Sequence, residues 1–239
     1  MAKVSVIVPA AGSGKRFGSQ HNKIFQRIKG QPIFIRTLEA FTSRDDVVQV
    51  QLVASAADAE EIKDRFGGNL GFMGVSLCIG GAQRSDSVRN ALSKVSADAD
   101  LVCVHDAVRP CVSALWIDAV FAQAARSGAA ILAYPVHGTL KKVAGGAITE
   151  TVPRVDLWEA QTPQVFAKDI LVRAYAAGRE ATDDASLVEA LGLPVSVVLG
   201  DPRNIKITTP GDLALAEAVI DSLPKPKPKH SGPFDEAQW

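Results

Sequence analysis

Cysteine, surplus charge and long apolar runs are all scarce in this chain. Only three cysteines, Cys78, Cys103 and Cys111, occur in 239 residues. An odd number in mostly apolar surroundings reads as reduced core thiols of a cytosolic protein, not as disulfides. No C-x-x-C pair is present, which argues against a zinc site. Neither sign of charge is in excess: 26 Lys+Arg face 26 Asp+Glu, a formal net charge of zero. Dedicated nucleic-acid and membrane-surface binders usually carry a basic excess, so neither partner is expected. An anionic ligand must then be held by a local cluster of cations. No apolar run approaches the ~20 residues of a membrane span. The start, Met1-Ala2-Lys3-Val4-Ser5-Val6-Ile7-Val8, is too short and too β-branched for a signal peptide and leads straight into a glycine loop. What is present is ordinary for a folded protein, with 47% hydrophobic and 22% charged residues. The length permits one large domain or two small ones.

Short β-branched runs alternate with longer helical patterns. Lys3–Val8, Val47–Val53, Val75–Ile79, Leu101–Val104 and Ala130–Val136 are apolar on both faces and read as buried strands. Helices are expected over Pro32–Phe41, Ala56–Phe66, Ser87–Val95 and Leu115–Ser127, with Ser55 and Asp58 in a capping-box pattern. This alternation implies an α/β fold with a doubly wound, mostly parallel twisted sheet. Its ligand crevice should lie at the carboxyl ends of the strands. The pattern breaks after Val136, where Leu140–Val143 and Ala147–Val152 flank Gly145-Gly146 as a β-hairpin too small to hold its own core. Helices near Lys168–Ala177 and Asp183–Leu191 and a strand at Val195–Leu199 follow. A last helix opens at Thr209, Pro210 and Asp212 and should reach about Ser222. Residues 1–223 thus read as a single domain with a protruding β-arm at about 137–155. Residues 224–239 open with alternating proline and lysine and read as an extended tail.

The most informative segment is Val8-Pro9-Ala10-Ala11-Gly12-Ser13-Gly14-Lys15-Arg16-Phe17-Gly18. A glycine-rich loop directly after a first strand points to backbone amides wrapped around phosphate. It is not a dinucleotide fingerprint, since Phe17 stands where the third glycine belongs and Val53-Ala54-Ser55 offers no acidic residue for a ribose. Nor is it a Walker A loop, because Arg16 follows Lys15 and Pro9 occupies the place of the first glycine. A phosphate loop with its own cations, Lys15, Arg16 and Lys23, remains. A plain glycine turn with solvated lysines is the bland alternative; two glycines, an adjacent arginine and the position after the first strand favour the phosphate loop.

Pro9-Ala10-Ala11-Gly12-Ser13-Gly14-Lys15-Arg16 with Lys23 resembles the loop of nucleotidyltransferases that activate sugar and alditol phosphates. Five later segments narrow the likeness: Gly80-Gly81-Ala82-Gln83-Arg84-Ser85-Asp86-Ser87-Val88, Val104-His105-Asp106-Ala107-Val108-Arg109-Pro110, Ala160-Gln161-Thr162-Pro163-Gln164-Val165-Phe166, Thr182-Asp183-Asp184-Ala185-Ser186 and Asn204-Ile205-Lys206-Ile207-Thr208. In order and spacing, from about residue 3 to residue 221, they resemble the 2-C-methyl-D-erythritol 4-phosphate cytidylyltransferase family. The resemblance implies cytidylyl transfer from CTP to a phosphomonoester with release of pyrophosphate, in the non-mevalonate route to isoprenoids. The nucleophile is then a phosphate oxygen, largely ionised near neutrality because a monoester's second pKa is about 6. No general base is required. In-line positioning and positive charge at the α-phosphorus are.

By resemblance Arg16 and Lys23 stabilise the five-coordinate phosphorus, and Arg154 and Lys206 orient the attacking phosphate. Pro9, Ala10, Ala11, Gly12 and Gly14 form the nucleotide pocket with Gly81, Ala82, Ser87, Asp106 and Ala107. Gly81, Ala82 and Ser87 read cytosine from a small-residue turn, for which a serine-capped helix start is an even alternative. Arg109, Thr139, Thr162 and Thr182 serve the acceptor. Asp106 lies beside the ribose or Mg²⁺, the latter held mainly by the nucleotide's phosphates; a structural pair with Arg109 is its alternative. His105 reads as a packing or hydrogen-bonding residue rather than a base. Thr139 and Arg154 flank the hairpin, which in the family crosses a two-fold axis, so a homodimer is expected. Gly138 stands where the family usually has Asp, and Ile24 and Val108 replace the more usual Gln and Ala.

Other readings stay open on sequence alone. Ribitol-5-phosphate cytidylyltransferases share the loop and differ in acceptor. A uridylyl- or guanylyltransferase would differ around Gly81–Ser87. A non-catalytic nucleotide-binding regulatory module would not need Arg16, Lys23, Asp106 and Lys206 together.

Overall fold

The computed structural model describes residues 1–12, 17, 22–179 and 181–226. In chain order β1 (Val4–Pro9), β2 (Arg27–Ile28), β3 (Gln31–Pro32), α1 (Ile33–Thr42), β4 (Val47–Ala54), α2 (Ala56–Phe72), β5 (Val75–Ile79) and α3 (Arg84–Leu92) make the first half. The second half holds β6 (Leu101–Val104), α4 (Ala114–Ser127), β7 (Ala129–Pro135), β8 (Leu140–Ala144), β9 (Ala147–Val152), β10 (Trp158–Ala167), α5 (Lys168–Ala176), α6 (Asp184–Glu189), β11 (Ser196–Leu199) and α7 (Pro210–Val219).

Seven strands pair in the order β11-β7-β10-β6-β1-β4-β5. β1 lies parallel between β4 and β6, β4 parallel to β5, and β11 parallel to β7. β10 runs antiparallel to both β6 and β7, so the sheet is mixed. The central strands feed two cores, one on each face. Val4, Val6 and Val8 of β1 join Phe34, Ile62 and Ile117 from α1, α2 and α4. Ile7 points the other way, to Val88, Leu171 and Leu187 from α3, α5 and α6. A strand with apolar residues on both faces is therefore the signature of burial on both sides.

Local chemistry sets the helix ends. Ser55 accepts from the Asp58 N–H at 3.1 Å to start α2. α2 then runs past the expected Phe66 end, through Gly67 and Gly68, because Leu70 continues its buried stripe. α3 starts three residues earlier than expected: Asp86 accepts from the Gln83 N–H at 3.2 Å, which fixes the first turn there. Thr209, Pro210 and Asp212 open α7 as the sequence indicates, and its last turn tightens into a 3₁₀ turn over Ile220–Ser222. β8 and β9 pair around Gly145 and Gly146, whose φ values of 57° and 81° suit a two-residue hairpin turn. Every residue of β8 and all but Val152 of β9 is exposed.

Candidate active site

A cavity of about 370 Å³ opens at the carboxyl ends of β1 and β6. Four segments wall it: Pro9–Gly12 after β1, Asn22–Ile24, the start of α3 with Ala82, Arg84 and Ser87, and the trio Asp106, Val108 and Lys206. A larger hollow of about 1080 Å³ lies between α1 and α2, lined by such residues as Ile35, Phe66 and Phe72. It holds none of the motif residues, so the chemistry is sought in the smaller cavity.

Asp106 follows β6 and is the only carboxylate among the described lining residues. Lys206 Nζ lies 2.9 Å from it, Arg84 Nε 3.3 Å and Arg109 Nε 3.6 Å. Burial alone would raise its pKa, but the charges of Arg84, Lys206 and Arg109 outweigh burial and hold the carboxyl well below the usual carboxylate range. It is ionised throughout the physiological range. Two of its partners are confined and the third is not: the Lys206 side chain is 42% exposed, against 8% for Arg109.

The strand end is held by a buried chain of hydrogen bonds. The Asp106 N–H donates to Thr162 Oγ1 at 3.1 Å, and Thr162 Oγ1 lies 3.1 Å from His105 Nδ1. His105 Nε2 lies 3.0 Å from the Arg109 carbonyl, which only an N–H can satisfy. Nδ1 is thus the acceptor and the Thr162 hydroxyl the donor. Burial pushes the ring's pKa down to about 4, so the imidazole is neutral and occupied at both nitrogens. This is a hydrogen-bonding residue, with no free nitrogen for general-base work.

The turn before α3 owes its glycines to packing. A Cβ on Gly81 would stand 2.3 Å from Asp86 Cβ, and one on Gly80 2.6 Å from Ser87 Oγ. Ser87 is no helix cap. It sits inside α3, donates to the Gln83 carbonyl at 3.0 Å and accepts from the Gly81 N–H at 3.1 Å. On the opposite wall Asn22 Nδ2 donates to the Gly12 carbonyl at 3.2 Å and to Asp58 at 2.9 Å, tying the end of the glycine loop to α2.

Of the residues expected from the sequence, Pro9, Ala10, Ala11, Gly12, Lys23, Ala82, Ser87, Asp106 and Lys206 line this one cleft, and Gly81 adjoins it through Ser87. Gly14 and Arg16 lie outside the described residues. Ala107 is buried behind the wall and donates its N–H to the Pro9 carbonyl. Arg109 and Thr162 lie behind Asp106. Arg109 is buried and donates to the Asn204 carbonyl at 2.7 Å, and the Thr162 hydroxyl is committed on both sides, so each supports Asp106 instead of facing the cleft. Thr139, Arg154 and Thr182 are exposed and do not line the cavity of their own chain. Arg154 donates to the His137 carbonyl at the hairpin's base. Arg84 and Asn22 line the cleft and were not singled out from the sequence. Arg84 stands within a quoted motif, but its partners Asp106 and Asp184 lie 22 and 100 residues away.

Among the described residues no group of three or more His, Cys, Asp or Glu is arranged around a metal position. A single carboxylate facing the cleft still suits Mg²⁺ of the kind that keeps its waters and takes its remaining ligands from phosphate oxygens.

The family model for 2-C-methyl-D-erythritol 4-phosphate cytidylyltransferase matches residues 4–222. The enzyme of that name from Rhodopirellula baltica is 46% identical over 233 residues, covering 92% of this chain and 96% of the relative. That from Dechloromonas aromatica is 42% identical over 225 residues, covering 92% and 98%. The crystal structure of the Thermus thermophilus enzyme of that name superposes with a TM-score of 0.77 at 38% identity, covering 92% of this chain and 99% of that one.

Proposed function

The chain belongs to the 2-C-methyl-D-erythritol 4-phosphate cytidylyltransferase family, and we infer from that membership that it transfers a cytidylyl group from CTP to 2-C-methyl-D-erythritol 4-phosphate. The products are 4-diphosphocytidyl-2-C-methyl-D-erythritol and pyrophosphate. The observation that carries this reading is the convergence of Lys23, Arg84 and Lys206 about a cleft whose floor is the ionised Asp106.

In the proposed mechanism an oxygen of the acceptor phosphate attacks the α-phosphorus of CTP in line. A new P–O bond forms, the bond from the α-phosphorus to the bridging oxygen breaks, and pyrophosphate leaves with that electron pair. The nucleophile is already an anion, so no general base is required and the commitment of both His105 nitrogens costs nothing. Lys23 and Arg16 neutralise charge that builds on the α-phosphate, and such preorganised charge is worth most in the transition state. The exposed Lys206 swings from Asp106 to the acceptor phosphate, and Arg154 and Thr139 of a second copy complete the acceptor site with Thr182. The hairpin supports a homodimer: Val143 and Ile148 are 60% and 64% exposed on an element with no core of its own. Asp106 is the residue that would hold Mg²⁺, which when bound supplies further positive charge at the polyphosphate. Residues 1–223 act as one domain; of the expected tail, 227–239 lie outside the described residues, and the Pro224 carbonyl accepts from Ser113 Oγ at 2.6 Å. A cytoplasmic location is part of the family reading; no helix among the described residues is long and apolar enough to cross a membrane.

Incubation with CTP, Mg²⁺ and 2-C-methyl-D-erythritol 4-phosphate, with ribitol 5-phosphate in a parallel reaction, tests the function. Mass analysis should find the diphosphocytidyl product and equimolar pyrophosphate in the first mixture. Faster turnover of ribitol 5-phosphate, or no pyrophosphate in either, would overturn it.

A further inference from the structure

Arg84 is gripped from behind by a residue that does not itself line the cleft. Its Nη2 donates to Asp184 Oδ2 at 2.8 Å while its Nε faces Asp106 Oδ1 at 3.3 Å. Asp184 is fully buried and is itself fixed on three sides. Its other oxygen accepts from the Tyr175 hydroxyl, its N–H donates to Gln164 Oε1 at 3.1 Å, and Gln164 Nε2 is anchored on Asp183 Oδ2 at 2.8 Å. A carboxylate buried this deeply is costly unless its charge is paired and its lone pairs are filled. Here the guanidinium pairs the charge at Oδ2 and the Tyr175 hydroxyl fills Oδ1. Two of the three guanidinium nitrogens are thereby committed. Among the described residues nothing accepts a hydrogen bond from the third, Nη1, on a side chain that lines the cleft and is 29% exposed. The planar fork gives that direction a meaning: with Nε and Nη2 pinned, Nη1 cannot rotate independently.

We propose that Asp184 is a positioning residue for nucleotide binding: braced by Tyr175 and Gln164, it aims Arg84 so that Nη1 offers a fixed donor to an acceptor oxygen of bound CTP. The same side chain steadies Asp106, so one buried carboxylate orders both walls of the nucleotide side of the cleft. The proposal rests on the cytidylyltransferase reading for its ligand.

Calorimetric titration of CTP, kinetics with the acceptor varied and thermal melting test it. Asp184→Asn should raise the Kd for CTP about tenfold or more while leaving the KM for 2-C-methyl-D-erythritol 4-phosphate within about twofold. Arg84→Lys, which keeps the charge but loses the fork, should weaken CTP to a similar degree. In an Arg84→Gln background Asp184→Asn should add little, because the two act as one unit. Unchanged CTP affinity in Asp184→Asn, or an effect that adds in full to that of Arg84→Gln, would overturn the proposal. Should Asp184→Asn not fold, Tyr175→Phe removes one brace and leaves both charges; it should weaken CTP about threefold or more with the acceptor KM unchanged. Unchanged CTP affinity in that folded variant is equally fatal. Wild-type protein that forms no cytidylyl product would instead sink the function, whatever the variants bind.

Discussion

The floor of the cleft and the β8–β9 hairpin differ in nearly every physical respect. Asp106 and Thr162 are 6% and 5% exposed, and each bonds to residues distant in sequence. The hairpin bonds mainly to itself, as in Lys142 Nζ to Glu150 at 2.6 Å and Lys141 Nζ to Thr151 at 2.6 Å. Exposed pairs of this kind contribute about 0–1 kcal/mol. The floor draws all its partners from a single chain. The hairpin shows apolar residues to solvent, which the proposed contact with a second copy would cover. The first suits chemistry that needs fixed charge, and the second suits the proposed contact with a second copy.

The largest expected effect lies at the floor's edge. Lys23→Ala should lower kcat by a factor of about 100 or more, about 3 kcal/mol, with a smaller change in either KM. Arg16→Ala should do likewise. Near-normal turnover in both would remove the catalytic reading of the loop.

Arg154→Ala tests the other pole. If Arg154 serves the partner's site, each site joins Lys23 of one chain to Arg154 of the other. Both single-variant homodimers should be nearly inactive. Refolding them together in equal amounts puts half the protein in heterodimers, each with one intact site, so about a quarter of wild-type activity should return. Random mixing verified by native mass with no recovered activity would place Arg154 in its own chain's chemistry or in none.

Gly81→Ala should cost about 1–3 kcal/mol of stability and weaken CTP binding, because its Cβ would meet Asp86 Cβ at 2.3 Å and the turn must shift. An unchanged melting temperature would mean that α3 gives way freely and that the cleft wall is less fixed than the floor.

A smaller effect comes from His105, held neutral in the fold with its pKa lowered to about 4. Unfolded, it takes up a proton near pH 6.5. Between these values the unfolded chain binds more protons than the native one, so stability falls as pH falls from 6.5 towards 4. The loss is about 2 kcal/mol at pH 5, a melting shift of about 4–8 °C. His105→Gln should flatten that slope. An equal slope in the variant would assign the acid sensitivity to other groups.

What was legible in the sequence was local. Thr209-Pro210 with Asp212, Ser55 with Asp58, and Gly145-Gly146 each encode a cap or turn within a few residues, and each forms where expected. β10 was hidden because Pro163 and the polar Gln161, Thr162 and Gln164 interrupt its apolar pattern, and proline speaks against a central strand. In the sheet its register with β7 skips between Ala160 and Gln164, which accommodates that proline. Thr162 and Arg109 were legible as site residues through their motifs, but not their orientation, since that depends on His105, Asn204 and the strand pairing. Asp184 stood within a family motif, but its tie to Arg84 was not legible there. Its charge is spent on Arg84, and nothing in either segment announces the other.

The smallest effect makes the contrast most directly. Gly145 has φ of 57° and nothing within 4 Å of a Cβ built on it, so its substitution meets strain but no clash, the reverse of Gly81. Gly145→Ala should therefore cost about 1 kcal/mol, the left-handed penalty of a side chain. That cost should fall on the hairpin alone, because β8 and β9 pair with no other strand. Hydrogen exchange can resolve the location. Amides of Leu140–Val152 should exchange about fivefold faster, while those of β1 and β6 keep their rates. A matched acceleration in β1 and β6 would mean that the hairpin is coupled to the body's own stability, and the separation between a self-sufficient floor and a partner-seeking hairpin would fail.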